Sequence, residues 1–213
     1  MRTVVGPLLN FRGAWEAMEP AMHREPHHQP PRHPVLYLKP ANTWRGPGDA
    51  IVLPQGVDEI EVGATLGVVF GRAAARVARA DALSHVAGYV AVNDVTVPHA
   101  SILRPPLKQK CRDSFCPIGP MVAASQVANP DALAIRAYVN GQLRMTNHTA
   151  NLVRDVARLV EEVSEFMSFA PGDVLLVGVP EGAPRAGAGD VVRIEIEGLP
   201  PLENRIEREE VGA

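Results

Sequence analysis

Short apolar runs separated by turn-forming residues make up most of the chain, which is the pattern of a protein rich in strands. Val35–Leu38 and Ile51–Leu53 are two such runs, on either side of the turn-rich KPANTWRGPGDA. A longer run, Ala64–Phe70, stops at Gly71, and residues 86–92 are small and β-branched up to Asn93-Asp94. Between them, residues 81–85 predict one or two helical turns. Residues 135–139 and 142–145 flank Asn140-Gly141, a dipeptide that accepts the positive φ values of a type I′ turn, so a hairpin is expected there. Strands are also expected at the N-terminus, over 174–177 and over 191–196.

Only one stretch carries a long helical period. Leu152, Val156, Leu159, Val163 and Phe166 recur at four- and three-residue spacing and predict one helix over about 149–168, capped by Asn147 or Thr149 and stopped by Pro171-Gly172. Because strands come in runs instead of alternating with helices, the expected class is α+β. Residues 19–34, EPAMHREPHHQPPRHP, have neither period and read as an exposed, partly extended loop. Its His27 and His28 read as solvated side chains instead of metal ligands.

Composition narrows the function. With 20 Pro and 18 Gly, the chain is not a helical bundle. The 21 Lys and Arg against 24 Asp and Glu leave a net charge of −3 with no basic block, which argues against nucleic acid or an anionic membrane as main partner. No apolar run approaches the roughly 20 residues of a membrane span. The two cysteines, Cys111 and Cys116, lack CxxC spacing and suit a reducing, cytoplasmic setting, where they read as small core residues. A single domain over 1–213 is long enough to fold without a metal or disulfide, so any metal would serve chemistry.

The order of segments is more specific than any one of them. YLKP, a strand ending VVFG, GYVAVND, a Lys-rich stretch before RDSFCPIGP, the VNG hairpin, SEFMSFAPGDVLLVGVPEG and GDVVRIEIEGLPPLEN follow one another. This series resembles the fumarylacetoacetate hydrolase family along nearly the whole chain, and KCRDSFCPIG with EGLPPLENRI is similar to one half of that family's decarboxylase/isomerase branch. The resemblance implies a sheet-rich mixed β roll with one long helix packed on it. It also implies small di- or tricarboxylic keto-acid substrates: 5-oxopent-3-ene-1,2,5-tricarboxylate for decarboxylation and 2-hydroxyhepta-2,4-diene-1,7-dioate for isomerisation. A paralogous sister subunit or a homodimer is the implied partner.

Both reactions put negative charge on a ketone oxygen, so the site needs an electron sink. The resemblance implies a divalent ion, magnesium for example, held by a Glu-x-Glu pair and the Asp of an Asn-Asp pair. Here Asp94 fills the last position, but the Glu positions hold Gly63 and Thr65. Glu59 and Glu61 have the same spacing four residues earlier and are expected to be a solvated strand entry. The family's histidine after Asn-Tyr is Ala14, and the Thr of its Gly-Thr-Pro loop is Val179. What the resemblance leaves is cationic: Lys110 and Asp94 as candidate catalytic residues, and Lys39, Arg104 and Asp113 as candidate substrate-binding residues, with Lys108 and Arg112 nearby. Two alternatives stand beside an active lyase/isomerase subunit. One is a catalytically silent partner of a metal-bearing sister, and the other is a hydrolase of acylpyruvate-like substrates.

Overall fold

The computed structural model describes residues 2–99 and 106–209; Arg104 lies outside them. In chain order the elements are β1 (Val4–Leu8), α1 (Arg12–Met22), β2 (Val35–Leu38), β3 (Trp44–Arg45), β4 (Ile51–Leu53), β5 (Glu59–Glu61), β6 (Ala64–Phe70), β7 (Val86–Asn93), α2 (Leu107–Lys110), β8 (Cys116–Pro117), β9 (Val122–Ala123), β10 (Ala134–Val139), β11 (Gln142–His148), α3 (Val156–Ser164), β12 (Val174–Leu176), β13 (Arg185–Gly187), β14 (Val191–Ile196) and β15 (Leu202–Arg208). A six-stranded sheet runs β2-β1-β12-β6-β7-β9 and a five-stranded sheet runs β11-β10-β14-β15-β4. Most neighbours are antiparallel, but β1 pairs with β12 and β15 with β4 in parallel, so the class is mixed α+β.

The two sheets pack on each other through β6 and β7 against β10, β14 and β15. Leu66, Val68, Phe70, Ile135, Ile194 and Ile206 meet between them and are excluded from solvent. The six-stranded sheet is buried on its other face as well, where Val4, Val90, Val92, Val174 and Leu176 cluster with Tyr37 and Cys116. This explains why β6 and β7 read as continuous apolar runs: strands covered on both faces have no solvent side for polar residues. At the expected hairpin, Asn140 and Gly141 adopt φ of 51° and 76°, as a type I′ turn requires.

Two expectations are corrected. The helix predicted over 149–168 is the shorter α3, with Asp155 as its cap: the Asp155 carboxylate accepts from Arg158 N, and Thr149–Asn151 is a separate 3-10 turn. Residues 152–154 cannot be helical because they are laced to the segment after β1. Phe11 and Leu152 form an antiparallel bridge, Val153 N donates to Asn10 O, and Arg154 N donates to Asn10 Oδ1 at 3.0 Å. Phe166, read as part of the buried stripe, lies beyond the helix and is 66% exposed. The loop expected over 19–34 begins later, because α1 continues through Pro20 to the buried Met22.

Asn10 is therefore a structural hub. Its amide nitrogen donates to the carbonyls of Arg154 and Val177 at 3.1 and 2.9 Å, so one buried side chain ties the end of β1 to the start of α3 and to the end of β12. Replacing Asn10 with Ala removes the partners of three buried backbone groups. Asn10→Ala is expected to lower unfolding free energy by about 2–3 kcal/mol, read from the midpoint shift in urea at unchanged slope.

Candidate functional site

The site is assembled at the ends of three elements. Lys39 follows β2, Asp94 follows β7, and Lys110 is the last residue of α2. Asp94 lies between the two lysines: Lys39 Nζ is 2.7 Å from Asp94 Oδ1 and Lys110 Nζ is 2.8 Å from Asp94 Oδ2. Tyr37 completes the cluster, donating its hydroxyl to Asp94 Oδ2, and its ring lies 4.3 Å from the Lys110 ammonium. Lys110 Nζ also donates to Thr96 Oγ1 at 2.7 Å.

Lys39 is wholly buried, and its hydrogen-bonding capacity is filled by carbonyls. Val95 O, Phe115 O and Lys110 O lie at 2.6, 2.8 and 2.9 Å from Nζ, one for each of its three protons. Asp94 Oδ1 is held to the same ammonium by charge alone, without hydrogen-bond geometry. Burial on its own raises the Asp94 pKa, but the ammoniums of Lys110 and Lys39 outweigh it and hold the carboxyl at about 2. Burial lowers the Lys110 pKa against the pull of Asp94, and burial followed by the Asp94 charge pushes the Tyr37 phenol well above its ordinary value. The cluster thus sets one carboxylate between two lysine side chains, with the phenol as a further donor.

The other residues singled out in the sequence are placed differently. Asp113 is exposed and accepts from Asn42 Nδ2 at 2.7 Å, with no bond to Lys110. Lys108 is exposed, and Arg112 donates to its carbonyl instead of joining the cluster. Glu59 is exposed on β5 and 3.6 Å from Arg185. Glu61, on the same strand, exchanges backbone hydrogen bonds with Thr96, close enough that its charge acts on Lys110. Its four-residue offset from the ligand position does not keep it remote. Tyr37 was not singled out from the sequence. Its signals are the aromatic residue in YLKP and Gly6, whose missing side chain leaves the space, since a Cβ there would lie 2.5 Å from the phenolic oxygen.

Divalent-metal ligation does not fit these residues. Gly63 offers no ligand, and a Cβ there would sit 2.3 Å from Asp94 O and 3.1 Å from Val179 Cγ2, so even a methyl group lacks room. Thr65 is fully buried, with its hydroxyl directed to the Leu66 carbonyl. Asp94 is thus the one anionic group at the three positions, and it already faces two ammoniums. A dication would add charge to a cluster that is already positive. No group of three His, Cys, Asp or Glu residues among the described residues is arranged to hold a metal.

Residues 3–207 match the model of the fumarylacetoacetate (FAA) hydrolase C-terminal domain. The chain belongs to the fumarylacetoacetate hydrolase family. It is 41% identical over 204 residues to the 4-hydroxyphenylacetate degradation bifunctional isomerase/decarboxylase of Escherichia coli, covering 96% of this chain and 47% of that protein. The corresponding Salmonella dublin protein is 38% identical, covering 98% and 48%. The chain therefore spans about half the length of these curated relatives. Among solved structures, the 5-carboxymethyl-2-hydroxymuconate delta-isomerase of Mycobacterium smegmatis is 33% identical with a TM-score of 0.83, covering 98% of this chain and 80% of that one. The fumarylpyruvate hydrolase of Pseudomonas aeruginosa, solved with Mn2+ and pyruvate, is 27% identical with a TM-score of 0.86, covering 98% and 91%. That family member holds a metal, whereas the Gly63, Thr65 and Asp94 positions here do not suit one.

Removing the Asp94 charge leaves two buried ammoniums facing each other. Asp94→Asn is expected to cost about 3–5 kcal/mol of stability, measured by denaturant titration at pH 7. The folded-state pKa lies below the ordinary carboxylate value. The Asp94 contribution of about 2 kcal/mol is therefore full above about pH 4 and is lost as pH falls toward 2, a dependence that Asp94→Asn abolishes. Gly63→Glu with Thr65→Glu is expected to destabilise the chain by at least about 2 kcal/mol and to confer no stoichiometric Mg2+ or Mn2+ site in equilibrium dialysis.

Proposed function

We propose that this chain is one of two fumarylacetoacetate hydrolase-type units of a decarboxylase/isomerase. The substrates are small keto acids with two or three carboxylates, 5-oxopent-3-ene-1,2,5-tricarboxylate and 2-hydroxyhepta-2,4-diene-1,7-dioate, and the second unit carries the divalent metal. The observation that carries this reading is the closed Lys39–Asp94–Lys110 cluster beside Gly63 and Thr65. The identity to one half of bifunctional relatives supports the pairing.

The chemistry sets what each unit must supply. Loss of carbon dioxide from a keto acid, or movement of a double bond through a dienol, builds negative charge on the ketone oxygen, which must meet concentrated positive charge. In this chain Lys39 is shielded from solvent and committed to carbonyls, and Lys110 is committed to Asp94 and Thr96. Of the two lysines, Lys110 is the one with residual exposure, at 6% against none for Lys39, so any direct role of an ammonium in charge stabilisation falls to it. The same bonds fix the ends of β2, β7 and α2 relative to one another, which is the service a scaffold unit gives an assembly. Charge balance and unpaired thiols suit a cytoplasmic location.

The test is to assay both reactions with the chain alone, with a metal-bearing unit alone, and with the mixture, each with and without magnesium. Turnover that requires the metal-bearing unit and rises at least tenfold when this chain is added is the expected result. Full activity of the isolated chain would sink the division of labour. Lys110→Ala in this chain separates direct participation from scaffolding: a fall in kcat with intact assembly assigns Lys110 to the chemistry, and a fall in assembly alone assigns it to the scaffold.

A further inference from the structure

Asn140 is the one Asn in the chain that a Gly follows, and the fold places this pair where it is both exposed and tethered. Asn140 and Gly141 turn the β10–β11 hairpin at the surface, with φ of 51° and 76°. The Asn140 side chain is bonded across to another turn. Its Nδ2 donates to Asp190 Oδ1 at 2.8 Å, and its Oδ1 accepts from Val191 N at 2.9 Å. The Asn140 backbone nitrogen also donates to Val191 O at 2.8 Å. These bonds join the hairpin turn to the turn between β13 and β14.

The contact lies where two neighbouring strands meet. β10 ends and β14 starts beside it, and the adjoining residues Val139 and Val192 face each other in register and are buried. Asp190 is held in its own turn by Gly187 N, which donates to Oδ2 at 2.8 Å. That bond, with the Asn140 amide second, holds the Asp190 carboxyl below the usual carboxylate range, so it is ionised at neutral pH. The tether is therefore an amide donor set against a carboxylate, and it lasts only while position 140 remains an amide.

Asn-Gly is also the dipeptide in which that amide is least secure, because Gly has no side chain to obstruct attack by its own backbone nitrogen. We propose that Asn140 is a site of spontaneous deamidation, gated by its bonds to Asp190 and Val191, and that conversion unfastens the two turns irreversibly. In the reaction the Gly141 nitrogen attacks Asn140 Cγ and gives up its proton to the departing amide nitrogen. The Cγ–Nδ2 bond breaks, ammonia leaves and a succinimide ring remains. Water then adds to either ring carbonyl and opens the ring to aspartate or isoaspartate. While both ends of the amide are bonded to Asp190 and Val191, Cγ is not free to turn onto the Gly141 nitrogen, so the reaction waits on local opening. After it, a carboxylate stands where the Nδ2 donor met Asp190, and the two like charges repel. This goes beyond the proposed function and does not rest on it, because neither a substrate nor a second unit takes part.

The test incubates the full chain in mildly alkaline buffer and follows the peptide 137–144 by mass, with isoaspartate methyltransferase labelling as a second readout. Conversion in the folded chain is expected to be slower than in the chain unfolded in urea by about tenfold or more. Asp190→Ala removes the charge-assisted bond and is expected to raise the folded-state rate about tenfold while leaving the rate in urea unchanged. Thermal melts of Asp190→Ala separate this effect from global unfolding. The consequence of conversion is read without that variant. Asn140→Asp is expected to lower the melting temperature of the otherwise unchanged chain, and to have little effect in an Asp190→Asn background, where no second carboxylate faces it. The inference is overturned by folded-state conversion as fast as that in urea, by a folded Asp190→Ala variant that converts no faster than the unchanged chain, or by an Asn140→Asp variant that melts where the unchanged chain does.

Discussion

The carboxylate of Asp94, held between two buried ammoniums, is the constraint on which the centre of this structure depends. Isolated charges cannot be carried into a protein interior without partners, and here each partner belongs to a different element. Lys39 brings the end of β2, Lys110 brings α2, and Asp94 itself stands at the end of β7. The three carbonyls around Lys39 add a second layer of constraint. They come from Val95, Lys110 and Phe115, so the backbone on either side of the cluster is shaped to receive a cation. An apolar residue at position 39 would leave all three without a donor, even though replacing a buried ion pair by hydrophobic groups is often tolerable elsewhere.

The same cluster explains why the departures from the family pattern occur together. A metal site needs converging anions, and this one has converging cations instead. Gly63 brings its backbone against the Asp94 carbonyl so closely that no side chain fits, and Gly6 leaves the space through which the Tyr37 phenol reaches the carboxylate. Once a neutral hydroxyl and two ammoniums satisfy Asp94, carboxylates at 63 and 65 would compete with it for the same positive charge. The substitutions at these positions and the contacts of Tyr37 therefore describe one electrostatic arrangement.

Much of the framework was legible in the sequence because strong local signals agree with the tertiary structure. Asn140-Gly141 sets its hairpin by backbone conformation alone, and Ala64–Phe70 is apolar at nearly every position because both faces of its strand are covered. The long helix was overextended because Leu152 continues an apolar period, while its backbone is claimed by Asn10 and Phe11, about 140 residues away in sequence. No local pattern records a hydrogen bond of that range. In the site, Asp94 and Lys110 were legible through motif position, and the empty ligand positions were legible as Gly63 and Thr65. Tyr37 was not, because an aromatic residue in a strand ordinarily reads as packing, and only the fold brings its hydroxyl to Asp94. Asp113 and Lys39 have similar standing in sequence, yet one ends exposed against Asn42 and the other ends with no solvent contact.

The ions of the charged cluster satisfy one another, which limits what they can offer to a ligand. A group that receives a carboxylate needs protons not already committed to the protein's own acceptors. This chain keeps Lys39 away from solvent and directs Lys110 to Asp94 and Thr96. What the cluster supplies is instead a rigid joint, since the same bonds that commit its charges fix the ends of β2, β7 and α2 relative to one another.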